Sequence, residues 1–216
     1  GGIGGRGPGE TKLEIDRRRA KDRIAFLERQ INQLGEQRRL RRRTRKTAGL
    51  PVVSVVGYTN AGKSTLVNQL THSHVVVQDA LFATLDPVSR RLRFPKEREA
   101  IITDTVGFIR NLPADLYTAF RATLEELHEA DVLIHVIDAS SNFMEEQKRV
   151  VETIFNQMEL ASKPCVTVLN KMDKISQSEL KVLTARYDAI PACALKADSL
   201  LPLIDRLERL LWPENS

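Results

Sequence analysis

Three short stretches of the sequence combine the residue types and spacing needed to hold a phosphorylated nucleotide. The first, GYTNAGKS at residues 57–64, follows an apolar run and matches the pattern Gly-x-x-x-x-Gly-Lys-Ser. In this pattern, backbone N–H groups at the start of a helix surround phosphate oxygens. We expect Lys63 to place its charge between the β- and γ-phosphates, and Ser64 to offer its hydroxyl to Mg²⁺, which prefers oxygen ligands. The predicted phosphate-binding residues are Gly57, Tyr58, Thr59, Asn60, Ala61, Gly62, Lys63, Ser64 and Thr65.

The second stretch, NKMD, ends an apolar run and predicts selection of guanine. The carboxylate of Asp173 can accept two hydrogen bonds from the N1–H and N2–H₂ groups of guanine. Adenine lacks this pair of donors and would leave the carboxylate unpaired, so this residue favours GTP over ATP. Asn170 is expected to bridge the phosphate loop and guanine N7, and the stem of Lys171 to lie over the base. The predicted base-binding residues are Asn170, Lys171, Met172 and Asp173, with Cys193, Ala194 and Leu195, whose backbone is expected to contact guanine O6.

The third stretch, DTVGF at residues 104–108, has the form Asp-x-x-Gly found at the γ-phosphate end of such sites. Asp104 is expected to reach Mg²⁺ through a water, and the N–H of Gly107 to face the γ-phosphate. Thr84, in FATLD, is the predicted second protein ligand of Mg²⁺, and the nearby Thr65, Thr71, Thr103 and Thr105 remain alternatives. The predicted contacts here are Phe82, Ala83, Thr84, Leu85, Asp86, Asp104, Thr105, Val106 and Gly107, and the predicted catalytic residues are Lys63, Thr84 and Gly107.

Phe108 stands where many enzymes of this chemistry carry a glutamine that positions the attacking water. Phenylalanine can neither accept a proton nor orient a water. Lys63, Mg²⁺ and the phosphate loop would still neutralise charge, which is the larger share of phosphoryl-transfer catalysis. We therefore expect slow hydrolysis, with water positioned by a group from a partner. A self-supplied cation from Arg110 remains an alternative.

Apolar runs alternate with amphipathic stretches from residue 51 onward, as the motifs require if each is to follow a strand. This alternation predicts an α/β domain with a mostly parallel six-stranded sheet flanked by helices. Because ligands bind at the carboxyl ends of such strands, the three stretches are expected to meet there. The predicted strands are 51–57, 90–95, 100–105, 132–138, 164–170 and 189–194, and the predicted helices are 62–72, 115–129, 142–160, 176–185 and 199–211.

Residues 1–50 differ in character from residues 51–216, and we predict a domain boundary between them. A Gly-rich loop, residues 1–9, precedes a predicted helix at residues 10–46 with a coiled-coil spacing of apolar residues. Residues 1–50 hold 15 basic and 6 acidic residues, whereas the remainder holds 18 basic and 22 acidic. This split indicates a polyanionic partner for the basic end, with a solvated helix face as the alternative. The predicted phosphate contacts are Arg38, Arg39, Arg41, Arg42, Arg43 and Arg45.

The bulk composition excludes several classes of protein. The 216 residues contain 42% hydrophobic residues, enough for a core, but no apolar run near the length of a membrane span and no signal peptide. The two cysteines form no metal-type pair, so a reduced, cytoplasmic compartment is expected. Gly1 is not a native translation start, which suggests a fragment of a longer protein. Nothing in the predicted chemistry requires a homo-oligomer.

The motifs together resemble a known group of proteins. GYTNAGKS, Thr84, DTVGF and NKMD resemble the translation-factor-related GTPases, and GGIGGRGPGETKLEIDRRR followed by GYTNAGKST and FATLDP resembles the HflX family. The resemblance implies a Ras-like P-loop GTPase domain that binds GTP and GDP with Mg²⁺. It also implies binding to the large ribosomal subunit, separation of ribosomal subunits under stress, and stimulation by ribosomes. The usual serine of the last guanine motif is Cys193 here, where only backbone contacts are expected to matter.

The same resemblance implies that residues 1–9 form the tip of a helical hairpin that reaches ribosomal RNA near the peptidyl transferase centre. The helix at 10–46 would be one arm of that hairpin. Two other functions stay open from the sequence. One is a GTP-gated RNA- or protein-binding module in which hydrolysis is incidental, and the other is a coiled-coil adaptor whose partner is a protein helix.

Overall fold

The computed structural model describes residues 49–71, 88–105, 107 and 125–213. The chain divides into two units, Gly1–Gly49 and Leu50–Ser216. The predicted Gly-rich loop and coiled-coil helix lie outside the described residues, and the strands and helices of the structure belong to the second unit. In the described ranges, no helix is both long enough and apolar enough to cross a membrane.

Six strands form one sheet in the order β2-β3-β1-β4-β5-β6. All neighbouring strands run parallel except β2 and β3, which form an antiparallel pair at one edge. The first strand lies near the middle, and the chain after it builds β3 and β2 on one side and β4 on the other. The strands are β1 (Val52–Gly57), β2 (Val88–Arg93), β3 (Glu99–Asp104), β4 (Val132–Asp138), β5 (Cys165–Asn170) and β6 (Ile190–Pro191).

Helices follow the strands and cover both faces of the sheet. Their starts carry local signals: Ser176 and Glu179 form a capping box at the third helix, and a proline lies in the first turn of the fourth. Within the described ranges, the α-helices are α1 (Lys63–Leu70), α2 (Met144–Gln157), α3 (Gln177–Tyr187) and α4 (Leu201–Leu211), and the 3₁₀ segments are Glu125–Glu129, Met172–Lys174 and Ala197–Leu200.

The core has two faces separated by the sheet. On one face, α1 and α4 pack Leu66, Leu203 and Leu207 against side chains of β1, β3 and β4. On the other, α2 packs Val151 and Phe155 against Val56 and Leu133. These strand residues are fully or almost fully buried. The result is the three-layer arrangement expected of a parallel sheet, and it holds the loops after the strands in place.

Three of the predicted elements differ from the structure. The strand predicted at 189–194 is only two residues long, because Pro191 has no N–H for a sheet partner and the chain then turns, with Ser199 Oγ bonded to both the N–H and the C=O of Cys193. The helix predicted at 199–211 begins as a 3₁₀ segment and becomes α-helical at Leu201. Of the helix predicted at 115–129, residues 125–129 form a 3₁₀ segment and the others lie outside the described residues.

Candidate nucleotide-binding site

The predicted motifs meet at one edge of the sheet. The phosphate loop follows β1, Asp104 ends β3, and Asn170 ends β5. Because these strands are parallel, their carboxyl ends lie on the same side. After β1 the chain builds β2 and β3 on one side of this strand, and it then crosses to build β4 on the other side. Open α/β sheets bind ligands where the strand order reverses in this way.

The phosphate loop has the conformation needed to point backbone N–H groups inward. Gly62 caps α1 with φ 93° and ψ 23°, and Asn60 also has a positive φ, 60°. Lys63 begins the helix, is 6% exposed, and donates from Nζ to the carbonyl oxygen of Tyr58 at 3.0 Å. Burial lowers the pKa of Lys63 to about 8, and the carboxylate of Asp104 partly offsets this effect. The loop therefore holds a buried cation beside an N-terminal helix end.

Two glycines are required by the close approach of neighbouring groups. A Cβ on Gly62 would lie 2.2 Å from Nδ2 of Asn170, and the positive φ there would strain any other residue. A Cβ on Gly107 would lie 2.9 Å from Lys63 Nζ and 2.9 Å from the Cα of Thr59. Gly107 is thus placed directly against the phosphate loop, as its predicted position near a γ-phosphate requires.

Asn170 joins three parts of the site. It is 2% exposed, and its Nδ2 donates to the carbonyl oxygen of Ala61 in the phosphate loop at 2.8 Å. Its Oδ1 accepts from the N–H of Ala194 at 3.0 Å. The predicted bridge from Asn170 to the phosphate loop is present in the structure. Both ends of the amide are satisfied, so the side chain sets the distance between the phosphate loop and the two predicted base-binding loops.

Lys171 is held by a residue that the sequence analysis missed. Its Nζ lies 2.7 Å from Oδ2 of Asp138, at the end of β4, and 2.9 Å from the carbonyl oxygen of Asn60. The other oxygen of Asp138 accepts from the N–H of Ser140 at 3.0 Å and from its hydroxyl at 2.6 Å. Lys171 itself has φ 61°. The available signal in the sequence is a polar residue, Asp138, at the end of an apolar strand.

The side chain of Cys193 affects the base-selecting carboxylate electrostatically, and the expectation that only its backbone meets guanine stays a prediction. Hydrogen bonding to the side chain of Cys193 is the first cause of the lowered pKa of Asp173. Burial, followed by the same contact, raises the pKa of Cys193. Asp173 is exposed, whereas Cys193 is 2% exposed.

The backbone N–H groups of this last loop are engaged within the protein. Cys193 donates its N–H to Ser199 Oγ at 3.0 Å, and Ala194 donates to Asn170. Leu195 is one of the few large apolar side chains of the described residues that are strongly exposed. The contact of residues 193–195 with a guanine O6 stays a prediction.

The residues near the phosphate loop are suited to share Mg²⁺ with phosphate oxygens rather than to enclose a metal ion with protein ligands alone. Ser64 begins α1 beside Lys63, and the carboxylate of Asp104 is 4% exposed and acts electrostatically on Lys63. These are hard oxygen donors, which Mg²⁺ takes in ones or twos together with phosphate oxygens. Among the described residues, no group of three His, Cys, Asp or Glu side chains is arranged to hold a metal ion.

Several predicted site residues lie outside the described residues: Phe82, Ala83, Thr84, Leu85, Asp86, Val106 and Phe108. Three of the alternatives to Thr84 have hydroxyls placed against protein oxygens. Thr105 Oγ1 donates to Val55 O at 2.6 Å, Thr71 Oγ1 donates to Val67 O at 2.8 Å, and Thr103 Oγ1 lies 3.5 Å from Ser89 Oγ. The assignment of Thr84 as a Mg²⁺ ligand stays a prediction.

Comparison with known families agrees with this geometry. The family described as "50S ribosome-binding GTPase" matches residues 52–171, and the family described as "GTP-binding GTPase Middle Region" matches residues 1–45. The first match includes the phosphate loop, Asp104 and Asn170. The second covers the basic, Gly-rich beginning of the chain.

Crystal structures with a similar fold bind nucleotides. A GTP-binding protein from the archaeon Sulfolobus solfataricus, in complex with GDP, has a TM-score of 0.65 and 29% identity, over 93% of this chain and 63% of that one. Era in complex with MgGDPNP and nucleotides 1506–1542 of 16S ribosomal RNA has a TM-score of 0.64 and 27% identity, over 77% and 58%. The fold is that of a Ras-like P-loop GTPase domain.

Curated relatives are more similar still. GTPase HflX of Caldanaerobacter subterraneus subsp. tengcongensis is 54% identical over 215 residues, which is 100% of this chain and 49% of the relative. GTPase HflX of Escherichia coli K12 is 46% identical over 182 residues, which is 84% of this chain and 43% of the relative. The chain therefore spans about half the length of the relatives it matches. On these matches and this fold, the chain belongs to the HflX family of GTPases.

Proposed function

We propose that this protein binds GTP and GDP and hydrolyses GTP slowly to GDP and phosphate. The observation that carries the proposal is the double hydrogen bond of Asn170, which joins the phosphate loop to the loops that follow β5 and β6. A phosphate loop alone would serve any nucleoside triphosphate. Its connection through Asn170 to the loops of Asp173 and Cys193 would bring a carboxylate acceptor to the edge of a guanine.

At the phosphate end, the proposed roles follow from burial and charge. The N–H groups of the loop and the start of α1 would surround the phosphates. Lys63, with its lowered pKa, is held by Tyr58 O and would exchange that carbonyl for phosphate oxygens. Gly107, which abuts Thr59 and Lys63, would offer its N–H to the γ-phosphate. Ser64 and Asp104, with Thr84, would hold Mg²⁺, which neutralises charge between the β- and γ-phosphates when bound.

At the base end, specificity would come from Asp173. Its carboxylate would accept two hydrogen bonds from guanine, with the thiol of Cys193 fixing its orientation. The stem of Lys171, held by Asp138 and Asn60 O, would cover one face of the base. An adenine nucleotide lacks the N1–H and N2–H₂ donors and would leave the carboxylate without a partner on the base, which disfavours its binding.

Hydrolysis is proposed to be slow until a partner completes the site. Phe108 cannot orient a water, so the group that does so would come from the ribosome when it orders residues 105–115. The proposed partner is the large ribosomal subunit, contacted through residues 1–50, and the proposed role is separation of ribosomal subunits or rescue under stress. Support comes from the name of the family that matches residues 52–171 and from the charge of residues 1–50. A cytoplasmic location follows from this role.

Steady-state GTP hydrolysis with Mg²⁺, alone and with purified large ribosomal subunits, tests this proposal. We expect a slow basal rate that rises with added subunits, and an Asp173→Asn variant that turns over GTP poorly in both conditions. The assay is run on this chain and on a full-length relative. If subunits leave the rate unchanged in both proteins while GTP still binds, catalysis completed by the ribosome is wrong. The protein would then be a GTP-gated binding module.

A further inference from the structure

Positive charge is concentrated in the hairpin formed by β2, β3 and their turn. Between residues 88 and 99 the chain carries five basic and two acidic residues, whereas residues 51–216 as a whole carry 18 basic and 22 acidic. Without the hairpin, residues 51–216 therefore have a more negative net charge than these totals give. The five basic residues of the hairpin are Arg90, Arg91, Arg93, Lys96 and Arg98.

Two of these arginines project from the same face of the sheet edge. β2 lies at one edge of the sheet, and its residues alternate between the buried Leu92 and the exposed Arg91 and Arg93, whose side chains are 67% and 83% exposed. In the antiparallel register, Arg93 lies opposite Glu99 and Arg91 lies opposite Ile101. Side chains two residues apart on a strand are about 6.6–6.8 Å apart along the chain and share one face.

Glu99 orders both guanidinium groups without using up their donors. Its Oε2 lies 3.2 Å from a terminal nitrogen of Arg91, and its Oε1 lies 3.3 Å from Nε of Arg93. Each arginine carries five N–H donors, so one contact each leaves most of them directed to solvent. Two guanidinium groups and one carboxylate keep a net positive charge on this face.

The hairpin is fixed to the body of the domain at its turn. The ring of Phe94 meets the ring of Trp212 edge-on, with centroids 5.2 Å apart. The guanidinium of Arg98 lies 5.5 Å from the Trp212 centroid and 3.4 Å from a carboxylate oxygen of Glu208 in α4. Arg98 is therefore committed to packing, while Arg91 and Arg93 are presented on a rigid support.

We propose that the outward face of the β2–β3 hairpin, defined by Arg91 and Arg93, docks on the phosphate backbone of RNA. Arginine suits this partner because its planar fork pairs with phosphate oxygens. Protection of a sheet edge from aggregation needs charge but not two arginines held by a shared carboxylate. The inference rests on the proposed ribosome association, for which it supplies an RNA contact within the GTPase domain, separate from residues 1–50.

The salt dependence of RNA binding tests the proposal. The probe is protein-free RNA from the large ribosomal subunit, and the variant is Arg91→Gln with Arg93→Gln. Each phosphate contact contributes about 0.7–0.9 to the slope of log K against log salt concentration, so losing two lowers the slope by about 1.4–1.8. The matched control, Arg149→Gln with Arg186→Gln, removes two exposed arginines from α2 and α3, one of which also pairs with a carboxylate. We expect this control variant to show the same dependence of log K on log salt concentration as the unchanged chain.

A charge-retaining variant, Arg91→Lys with Arg93→Lys, should keep the slope, and basal GTP hydrolysis should be equal in all variants because the hairpin face lies outside the nucleotide site. Equal slopes for the glutamine variant and the unchanged chain would overturn the proposal. So would weaker binding to whole subunits without any change on protein-free RNA, because the partner would then be a protein. If the RNA slope falls as expected but the chain does not bind subunits, this inference stands and the proposed ribosome association fails.

Discussion

Asn170 offers the most direct structural test of how the site is assembled. Replacing it with alanine removes the donor to Ala61 O at 2.8 Å and the acceptor for the Ala194 N–H at 3.0 Å. The side chain is 2% exposed, so water has little access to the two groups left behind. The change should therefore loosen both the phosphate loop and the last base-binding loop.

The expected loss of stability can be worked from these two bonds. A buried group left without its partner costs about 1–3 kcal/mol, so two such groups cost about 2–6 kcal/mol. Against a typical total of about 5–15 kcal/mol, this is a large fraction. With a denaturant slope of about 2 kcal/mol per molar urea, a loss of about 3 kcal/mol lowers the urea midpoint by about 1.5 M.

Urea unfolding followed by circular dichroism, with and without GDP, measures this effect. The matched control is Asn156→Ala, which removes the same side chain from an exposed position in α2. We expect Asn170→Ala to lower the midpoint by about 1–2 M and to reduce the stabilisation by GDP, while the control changes neither. A shift below about 0.5 M with normal GDP stabilisation would refute the reasoning.

Three further changes have expected outcomes. Between pH 6.5 and 3, the unfolded chain takes up a proton at His135 that the folded chain resists, because burial and then Lys148 lower its folded pKa to about 3. The free energy of unfolding therefore falls as pH falls, by up to about 1.4 kcal/mol per pH unit. In urea titrations, His135→Phe should remove this pH dependence. The control His128→Gln, at an exposed site, should keep it. Asp138→Asn should weaken GDP binding about three- to tenfold, because it releases Lys171, the proposed cover of the base. In fluorescence titrations, competition by inorganic triphosphate should stay unchanged. Cys193→Ala should weaken GDP binding about two- to tenfold and Cys193→Ser should not; equal effects would contradict the role of the thiol as a donor.

The positions of several strands along the chain and of the motif loops could be predicted from the sequence because both depend on local patterns. Apolar runs of strand length bounded by glycine or polar residues set β1, β4 and β5 within a residue or so. The motifs locate Gly62 and Gly107, whereas the close approach of Asn170 to one and of Lys63 and Thr59 to the other becomes visible only in the structure.

The remaining features depend on contacts between residues far apart in the chain. The pairing of Lys171 with Asp138 joins the ends of two neighbouring strands, and it becomes visible only when their register is known. The thiol contact of Cys193 with Asp173 depends on how the chain turns after the short β6. The apolar run at 189–194 predicts a longer strand than β6, which ends at Pro191, a residue without an N–H for a partner strand.

The pH range of nucleotide binding follows from the state of Lys63. Its pKa is lowered to about 8 by burial, and a bound phosphate would raise it again. The free protein is then charged at this position below about pH 8, and binding above that pH must take up a proton. Affinity for GDP should therefore fall as pH rises above about 8, by at most about tenfold per unit.

Equilibrium binding of GDP and xanthosine diphosphate to the unchanged chain and to Asp173→Asn tests the central claim most directly. Xanthine carries a carbonyl where guanine has its N2 amino group, so the amide of the variant can donate where the carboxylate accepted. The account predicts that the unchanged chain prefers GDP and that the variant loses GDP and gains xanthosine diphosphate. If Asp173→Asn keeps its preference for GDP, Asp173 does not select the base, and the proposed site at the ends of β1, β3 and β5 is contradicted.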